Sequence, residues 1–310
     1  VTEFFVVALP LMITSAKADG HPIQAVTHAG FGGGTDVTTR MMLLRTRRYL
    51  KQDMQLVNKK GGGGAASMDY MMTLPADGNH TLTWTTGHAV SMALGKTKVK
   101  LSDMQPLARG TDDPQLFVVN CKNDIKDAKK FISAQKSKSL KYGTTHVGGI
   151  DDVSAIAFTK KGKLTDPTIV AYKGVGPIKT NLIKGDIDVG VLNLGEAVTE
   201  IEDGTLCVSV VLASNRMEKL SNVPTATELG IPVVLSTVRG FVTKKGVAGD
   251  RKKQLEDAMI KAMEHKYFQS FLTDIGLDST SVVGADEWGK QMETMLAEMT
   301  AQLKALGYIK

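Results

Sequence analysis

The chain has 310 residues, 42 % of them apolar and 23 % charged, with a net charge of +6. That length allows a well-buried core, and that composition is too apolar for a disordered chain. Lysines are spread along the sequence and aromatics make up only 5 %, which argues against the clustered basic, aromatic-interleaved surface of a nucleic-acid binder.

The opening "VTEFFVVALPLMITSAKADG" holds an apolar run over residues 4–13, too short to span a bilayer, ending in Ala16-Lys17-Ala18. Residues 1–18 therefore read as a secretory signal with a small-x-small cleavage site, although the only early charge is Glu3. The mature chain is expected to start near Asp19 and to be exported, which places it in the periplasm. "PIQAVT" then predicts a buried strand, and the segment after Thr35 a helix packing through Val37, Met41, Leu44 and Tyr49. "MQLVN" predicts the next strand, "KKGGGGAASMDYMM" a second glycine-rich turn into a helix, and "HTLTWTT" a third strand. This alternation predicts parallel pairing with right-handed crossovers, an α/β fold.

The middle repeats the theme. "QLFVVN", "LKYGTT", "TIVAY", "IDVGVL" and "LCVSVVLAS" predict strands, while "IKDAKKFISAQ", "DDVSAIAF", "GPIKTNLIKG" and the segment near Glu196 predict helices. Past "NVPTATELG" comes "GFVTKKG" and then two closing helices. In the last, Trp288, Met292, Met295, Met299, Leu303 and Leu306 recur at helical spacing and read as core packing. Cys121 and Cys207 each lie in a strand-like apolar run and read as two separate buried thiols.

The stretch "HAGFGGGTDVTTRMM" carries most of the functional signal. A phosphate-binding P-loop needs a lysine after its last glycine, and none follows Gly34. A dinucleotide fingerprint counted from Gly30 needs glycine where Thr35 stands, and an acidic residue where Asn58 and Lys59 stand. What remains is a strand, a bare turn, and a helix opened by Thr35 or Asp36 as N-cap. Unpaired amides and the positive end of the helix dipole suit a carboxylate as well as a phosphate. The glycines at 61–64 either do the same or form a structural tight turn. No His-x-x-x-His pair, Cys-x-x-Cys pair or Gly-x-Ser-x-Gly elbow occurs, so neither a zinc site nor a serine nucleophile is expected.

"PIQAVTHAGFGGGTDVTTRMM" resembles the opening strand, loop and helix of the Bug family, the receptors of tripartite tricarboxylate transporters. The likeness continues in order through "VNKKGGGG", "YMMTLPADGNHTLTWTTGHAV", "LKYGTTHVGGIDDVSAIAF", "VAYKGVGP", "IKGDIDVGVLNLGEA", "LSNVPTATELGIP" and "RGFVTKKG". It implies a two-lobe periplasmic binding protein fold, type II-like, each lobe a sheet flanked by helices with the ligand in the cleft between. Lobe 1 would comprise residues 19–104 plus 225–310 and lobe 2 residues 105–224. The resemblance implies a monomer without a cofactor that catalyses nothing, captures a small organic carboxylate and hands it to membrane permease subunits. A secreted α/β enzyme acting on a carboxylated or phosphorylated metabolite, and a receptor serving a signalling system, are the alternatives.

The implied ligand-binding residues are Gly32, Gly33, Gly34, Thr35 and Asp36 in one loop, and Thr144, Thr145, His146, Gly148, Gly149 and Asp151 in the other. Thr86, His88, Tyr172, Asn193 and Arg239 join them. His28, His88 and His146 fall at strand ends expected to face the cleft. Arg239 would either fork onto a second carboxylate or pair with an acidic side chain of the protein. Two departures stand out: Phe31 where proline is common, and Asp151-Asp152 where serine and histidine are common. Those aspartates are either helix N-caps or, for Asp151, a contact to a cationic or hydroxylated part of the ligand.

Overall fold

The computed structural model describes residues 21–145, 148–305 and 307–309. The signal-sequence reading of residues 1–18, His146 and Leu306 lie outside them. From the start the order is β1 (Ile23–Thr27), α1 (Gly34–Leu50), β2 (Met54–Asn58), α2 (Ala65–Thr73), β3 (His80–Thr85), α3 (Thr86–Ala93) and β4 (Met104–Pro114). Next come β5 (Leu116–Asn120), α4 (Ala128–Ser137), β6 (Lys141–Thr144), α5 (Ile150–Lys161), β7 (Thr168–Ala171), α6 (Val175–Lys184), β8 (Val189–Leu192), α7 (Leu194–Glu202) and β9 (Leu206–Val211). The chain closes with β10 (Ser236–Lys244), α8 (Gly249–Glu264), α9 (Lys266–Asp274), β11 (Val283–Gly284) and α10 (Ala285–Ala305). Three helices end the chain where two were expected, because the segment after β10 breaks at His265. No described helix is long and apolar enough to cross a membrane.

These strands make two sheets, ordered β11-β4-β10-β3-β1-β2 and β7-β6-β8-β5-β9. The expected parallel pairing holds within the βα units: β1 with β2 and β3, and β6 with β7 and β8. Both sheets are nonetheless mixed. Strand β10 runs antiparallel to β3 and β4, and β5 antiparallel to β8 and β9. The antiparallel strands are those that carry the chain between sheets. Because β4 pairs with β10 from Met104 to Pro114, the first sheet reaches Pro114, and the second begins just beyond Gln115. There three segments bond to one another: the Gln115 amide donates to Leu235 O, Leu235 to Leu212 O, and Leu212 to Gln115 O, each at 2.9 Å.

The buried face of α1 differs from the expected one. Thr35, Thr38, Thr39, Met42, Thr46 and Leu50 point inward, while Leu44 and Tyr49 are each 45 % exposed. Threonine can line a core face because its hydroxyl bonds the carbonyl one turn back. Thr38, Thr39 and Thr46 donate to the carbonyls of Gly34, Thr35 and Met42, and Thr39 also meets Thr83 Oγ1 at 2.8 Å. The α10 stripe is core as read, with Trp288, Met292, Met295, Met299 and Leu303 all buried. Trp288 meets Trp84 edge-on at 5.8 Å, and in the second sheet Phe117 gathers Phe131, Tyr142 and Phe158 at 4.9–5.8 Å.

Cys121 and Cys207 are joined in a disulfide, not held as separate thiols. The antiparallel register of β5 on β9 aligns Asn120 with Leu206, and the Cys121 amide donates to Thr205 O at 3.1 Å. Cys121, just past the end of β5, therefore lies beside Cys207 on β9, with Cα atoms 5.0 Å apart. Their 86-residue separation hides a proximity that only strand order creates.

Candidate functional site

Three helices begin around the crossing strands. Helix α1 follows the glycine loop, and its N-cap is Gly33, with Thr35 and Asp36 already inside the first turn. Asp36 folds back to accept the Gly32 amide at 3.0 Å and pairs with Arg40 at 2.9 Å. From below, the β10 side chain Arg239 (3 % exposed) reaches this turn. Its Nε donates to Thr35 Oγ1 at 3.2 Å, Nη1 to Asp113 Oδ2 at 3.0 Å, and Nη2 to Asn193 Oδ1 at 3.3 Å. A Cβ on Gly34 would lie 2.7 Å from Arg239 Nη2, so the guanidinium itself requires that glycine. Of the two roles open to Arg239, pairing with an acidic side chain is present.

Helix α5 has Gly149 as N-cap, so Asp151 and Asp152 are first-turn residues rather than caps. Asp151 Oδ2 accepts the Thr145 amide at 2.9 Å and its hydroxyl at 2.6 Å, and Asp152 Oδ2 accepts the Gly148 amide at 2.5 Å. Gln115 Nε2 ties this turn to the crossing strands, reaching Asp151 Oδ1 at 3.4 Å and Thr237 Oγ1 at 2.8 Å. Thr144 is fully buried, and its hydroxyl has no partner among the described residues. The α5 and α1 turns share one feature: each bonds some of its loop amides with its own carboxylate. The amides left without an intrahelical acceptor are those of residues 34–36 and 150–152, since Val37 and Val153 are the first to bond back, to Gly33 O and Gly149 O.

Helix α7 starts at Asn193, whose amide donates to Glu196 Oε2 at 3.0 Å. The Asn193 side chain is spent inward, donating to the carbonyls of Asp113 and Pro114 while accepting from Arg239. Arg239, Asp113 and Gln115 thus join the starts of α1, α5 and α7 into one bonded cluster. Burial pushes the Glu196 carboxyl up to about 7, against the pull of the Asn193 amide and Arg239. It pushes Asp113 up to about 6 despite the guanidinium at its side.

His88 does not face a cleft. Its ring is fully buried, and Nδ1 accepts the Thr85 amide at 3.0 Å, leaving Nε2–H for Ser67 Oγ at 3.0 Å. Burial holds it well below the ordinary histidine value, so it is neutral. The second glycine run explains itself here. A Cβ on Gly64, at φ +109°, would lie 2.8 Å from the His88 ring, and Ser91 Oγ donates to the carbonyls of Gly62 and Gly63. Of its two readings, the structural turn is the one present. Thr86 is likewise consumed: its hydroxyl donates to Ser236 O and accepts the Val238 amide, each at 2.9 Å.

A model of the tripartite tricarboxylate transporter family receptor matches residues 38–307. The chain belongs to that receptor family. Among curated relatives of this family, BugT of Bordetella pertussis is 26 % identical over 220 residues, covering 68 % of this chain and 66 % of BugT. A UPF0065 protein of Cupriavidus necator is 23 % identical over 282 residues, covering 87 % of this chain and 83 % of its own. The fold recurs in a TctC solute-binding protein from Polaromonas (TM-score 0.77, 23 % identity, 93 % of this chain and 100 % of that one). It recurs in MatC of Rhodopseudomonas palustris with bound malate (0.80, 22 %, 91 % and 99 %) and in an R. palustris protein with adipate (0.83, 20 %, 94 % and 99 %). The two-lobe binding-protein architecture inferred for the receptor family is therefore the observed one.

The predicted site residues divide. Gly32, Gly33, Gly34, Thr35 and Asp36 at α1, Thr144, Thr145, Gly148, Gly149 and Asp151 at α5, Asn193 at α7 and Arg239 belong to or adjoin the bonded cluster. His88 and Thr86 are held inside the first sheet's packing. Tyr172 is partly buried next to the second sheet, its amide donating to Thr144 O at 2.8 Å. Sequence reasoning missed Asp113 and Gln115. Thr111, Asp113 and Gln115 are buried at alternate positions of an extended run, but Asp112 between them is polar too, so the sequence carries no alternation that would have marked them.

Proposed function

We propose that this receptor captures a small organic carboxylate between two lobes, outside the cytoplasm, and delivers it unchanged to a tripartite tricarboxylate-type membrane transporter. One observation carries the reading. The starts of α1 and α5, one from each sheet, are bonded to a common set of crossing-strand residues, and each keeps three amides without an intrahelical acceptor. Helix starts of this kind attract an anion through aligned amides and dipole. An anion bridging both starts favours a closed arrangement over an open one by contacts that exist only when closed. Malate and adipate in proteins of the same fold support a carboxylate as the anion. The lobes proposed are the units around the two sheets, meeting at Gln115, Leu212 and Leu235.

Thermal unfolding against a carboxylate panel tests it. A bound acid at a hundredfold excess over its Kd adds roughly 2.7 kcal/mol of stability, and chromatography recovers the acid unchanged. Turnover of any stabilising acid places the protein among enzymes instead, and absence of stabilisation by every acid removes the reading.

A further inference from the structure

The cluster at the crossing strands is short of hydrogen-bond donors. Asp113 and Gln115 are 3 % and 1 % exposed, and being two apart on an extended run they share a face. Asp113 gives Oδ2 to Arg239, while its Oδ1 has no partner among the described residues. Gln115 must aim its NH2 group at the carboxylate of Asp151, which can only accept, and this leaves the carbonyl Oε1 likewise without a partner among the described residues. Two buried acceptors therefore stand unpaired between the starts of α1, α5 and α7. Native proteins satisfy the large majority of such groups.

The charge around them points the same way. Each of the three helix starts already carries acidic residues in its first turn: Asp36, Asp151 with Asp152, and Glu196. Arg239 is the cation inside the cluster, and it is neutralised by Asp113. A second carboxylate group on a ligand would meet the Asp151 and Asp152 carboxylates, whereas an ammonium group would supply what the two acceptors lack.

Resting on the carboxylate-receptor reading, we infer that the ligand carries a hydrogen-bond-donating cationic group beside its carboxylate, and that Asp113 Oδ1 and Gln115 Oε1 receive it. The substrate class is an amino acid rather than a plain di- or tricarboxylate. A site built around buried acceptors rejects the analogue that lacks the donor far more strongly than an apolar pocket rejects a missing methylene.

Calorimetry on the purified mature protein with matched pairs tests this: alanine and propionate, aspartate and succinate, glutamate and glutarate, phenylalanine and 3-phenylpropionate. The expected result is a pair in which the amino acid binds at least tenfold more tightly, with Gln115→Leu reducing that ratio to below threefold. Circular dichroism and unfolding of Gln115→Leu report whether it is folded. Gln115→Met serves as a second apolar variant of similar length and should lower the ratio in the same way. Deaminated acids binding as tightly as their amino partners would overturn the inference while leaving the receptor reading intact, and would indicate that water serves the two acceptors. Binding of no acid in either form overturns both.

Discussion

Two glycine-rich turns, at 30–34 and at 61–64, are alike in the sequence and are employed differently. At the first, the glycine in contact is Gly34, bare because Arg239 presses on it from the crossing strands. At the second, Gly64 is bare because His88 does, with Ser91 holding the carbonyls of Gly62 and Gly63. In both, the missing side chain accommodates the protein's own groups. The difference lies in what those groups connect to: His88 ends in Ser67 and the first sheet's packing, whereas Arg239 ends in the starts of two other elements. A glycine run therefore marks close approach, and the identity of the approaching side chain separates a site from a scaffold.

The largest effect should come from removing that side chain at the first turn. Arg239→Leu leaves Asp113 buried and uncompensated, at a cost of roughly 3–5 kcal/mol in denaturant unfolding. The double variant with Asp113→Leu should recover part of the loss. A double variant no more stable than the single one would show that the pair is not what Arg239 provides.

Next comes Gly64→Ala. A side chain at positive φ costs roughly 1–2 kcal/mol, and the contact with His88 adds roughly 1–3 kcal/mol more. Stability should fall while the folded fraction keeps its ligand affinity, measured by calorimetry. Gly34→Ala should do the converse, losing affinity more than stability as Arg239 is displaced from Thr35. Equal effects of the two variants on affinity would erase the distinction between the two turns.

Thr144→Val sharpens the comparison from the α5 side. Its buried hydroxyl is unpartnered, so an apolar isostere should leave the unliganded protein at least as stable. If the hydroxyl bonds the ligand, affinity falls by about 1–2 kcal/mol. Unaltered affinity removes Thr144 from the site.

The smallest effect expected is on pH dependence. Burial raises Glu196 to about 7 and Asp113 to about 6. The folded state thus holds their protons more tightly than the unfolded chain does. Their effect on stability is most favourable below the ordinary carboxylate range and weakens as pH rises toward 7. Unfolding at pH 5 and pH 8 should show the midpoint falling with pH, and Glu196→Gln should flatten part of that slope.

Much of the fold was legible because apolar periodicity and turn chemistry agree: β1, β2, β3, the α5 and α6 helices and the methionine stripe of α10 lie where the pattern puts them. The pattern misled where polar residues form the core. Helix α1 packs through threonines whose hydroxyls bond back to the preceding turn, so its exposed Leu44 and Tyr49 drew the wrong face. Strand β4, "MQPLARGTDDP", was not read as a strand because its charges are paired inside. At the site, the loops were legible and their occupants were not. Asp36, Asp151 and Asp152 turn back onto amides only four to six residues away, but that Asp113 and Gln115 would lie between helix starts depends on which strands become neighbours. The disulfide was invisible for the same reason.

The bond between the Gln115 amide and Leu235 O sets the entrance and exit of the second sheet side by side. Everything from 115 to 235 is threaded through a single doorway in the rest of the molecule. A chimaera exchanging residues 115–235 would need splices at two adjacent points, and would take the Gln115 and Asp151 end of the site from one parent and the Arg239 end from the other.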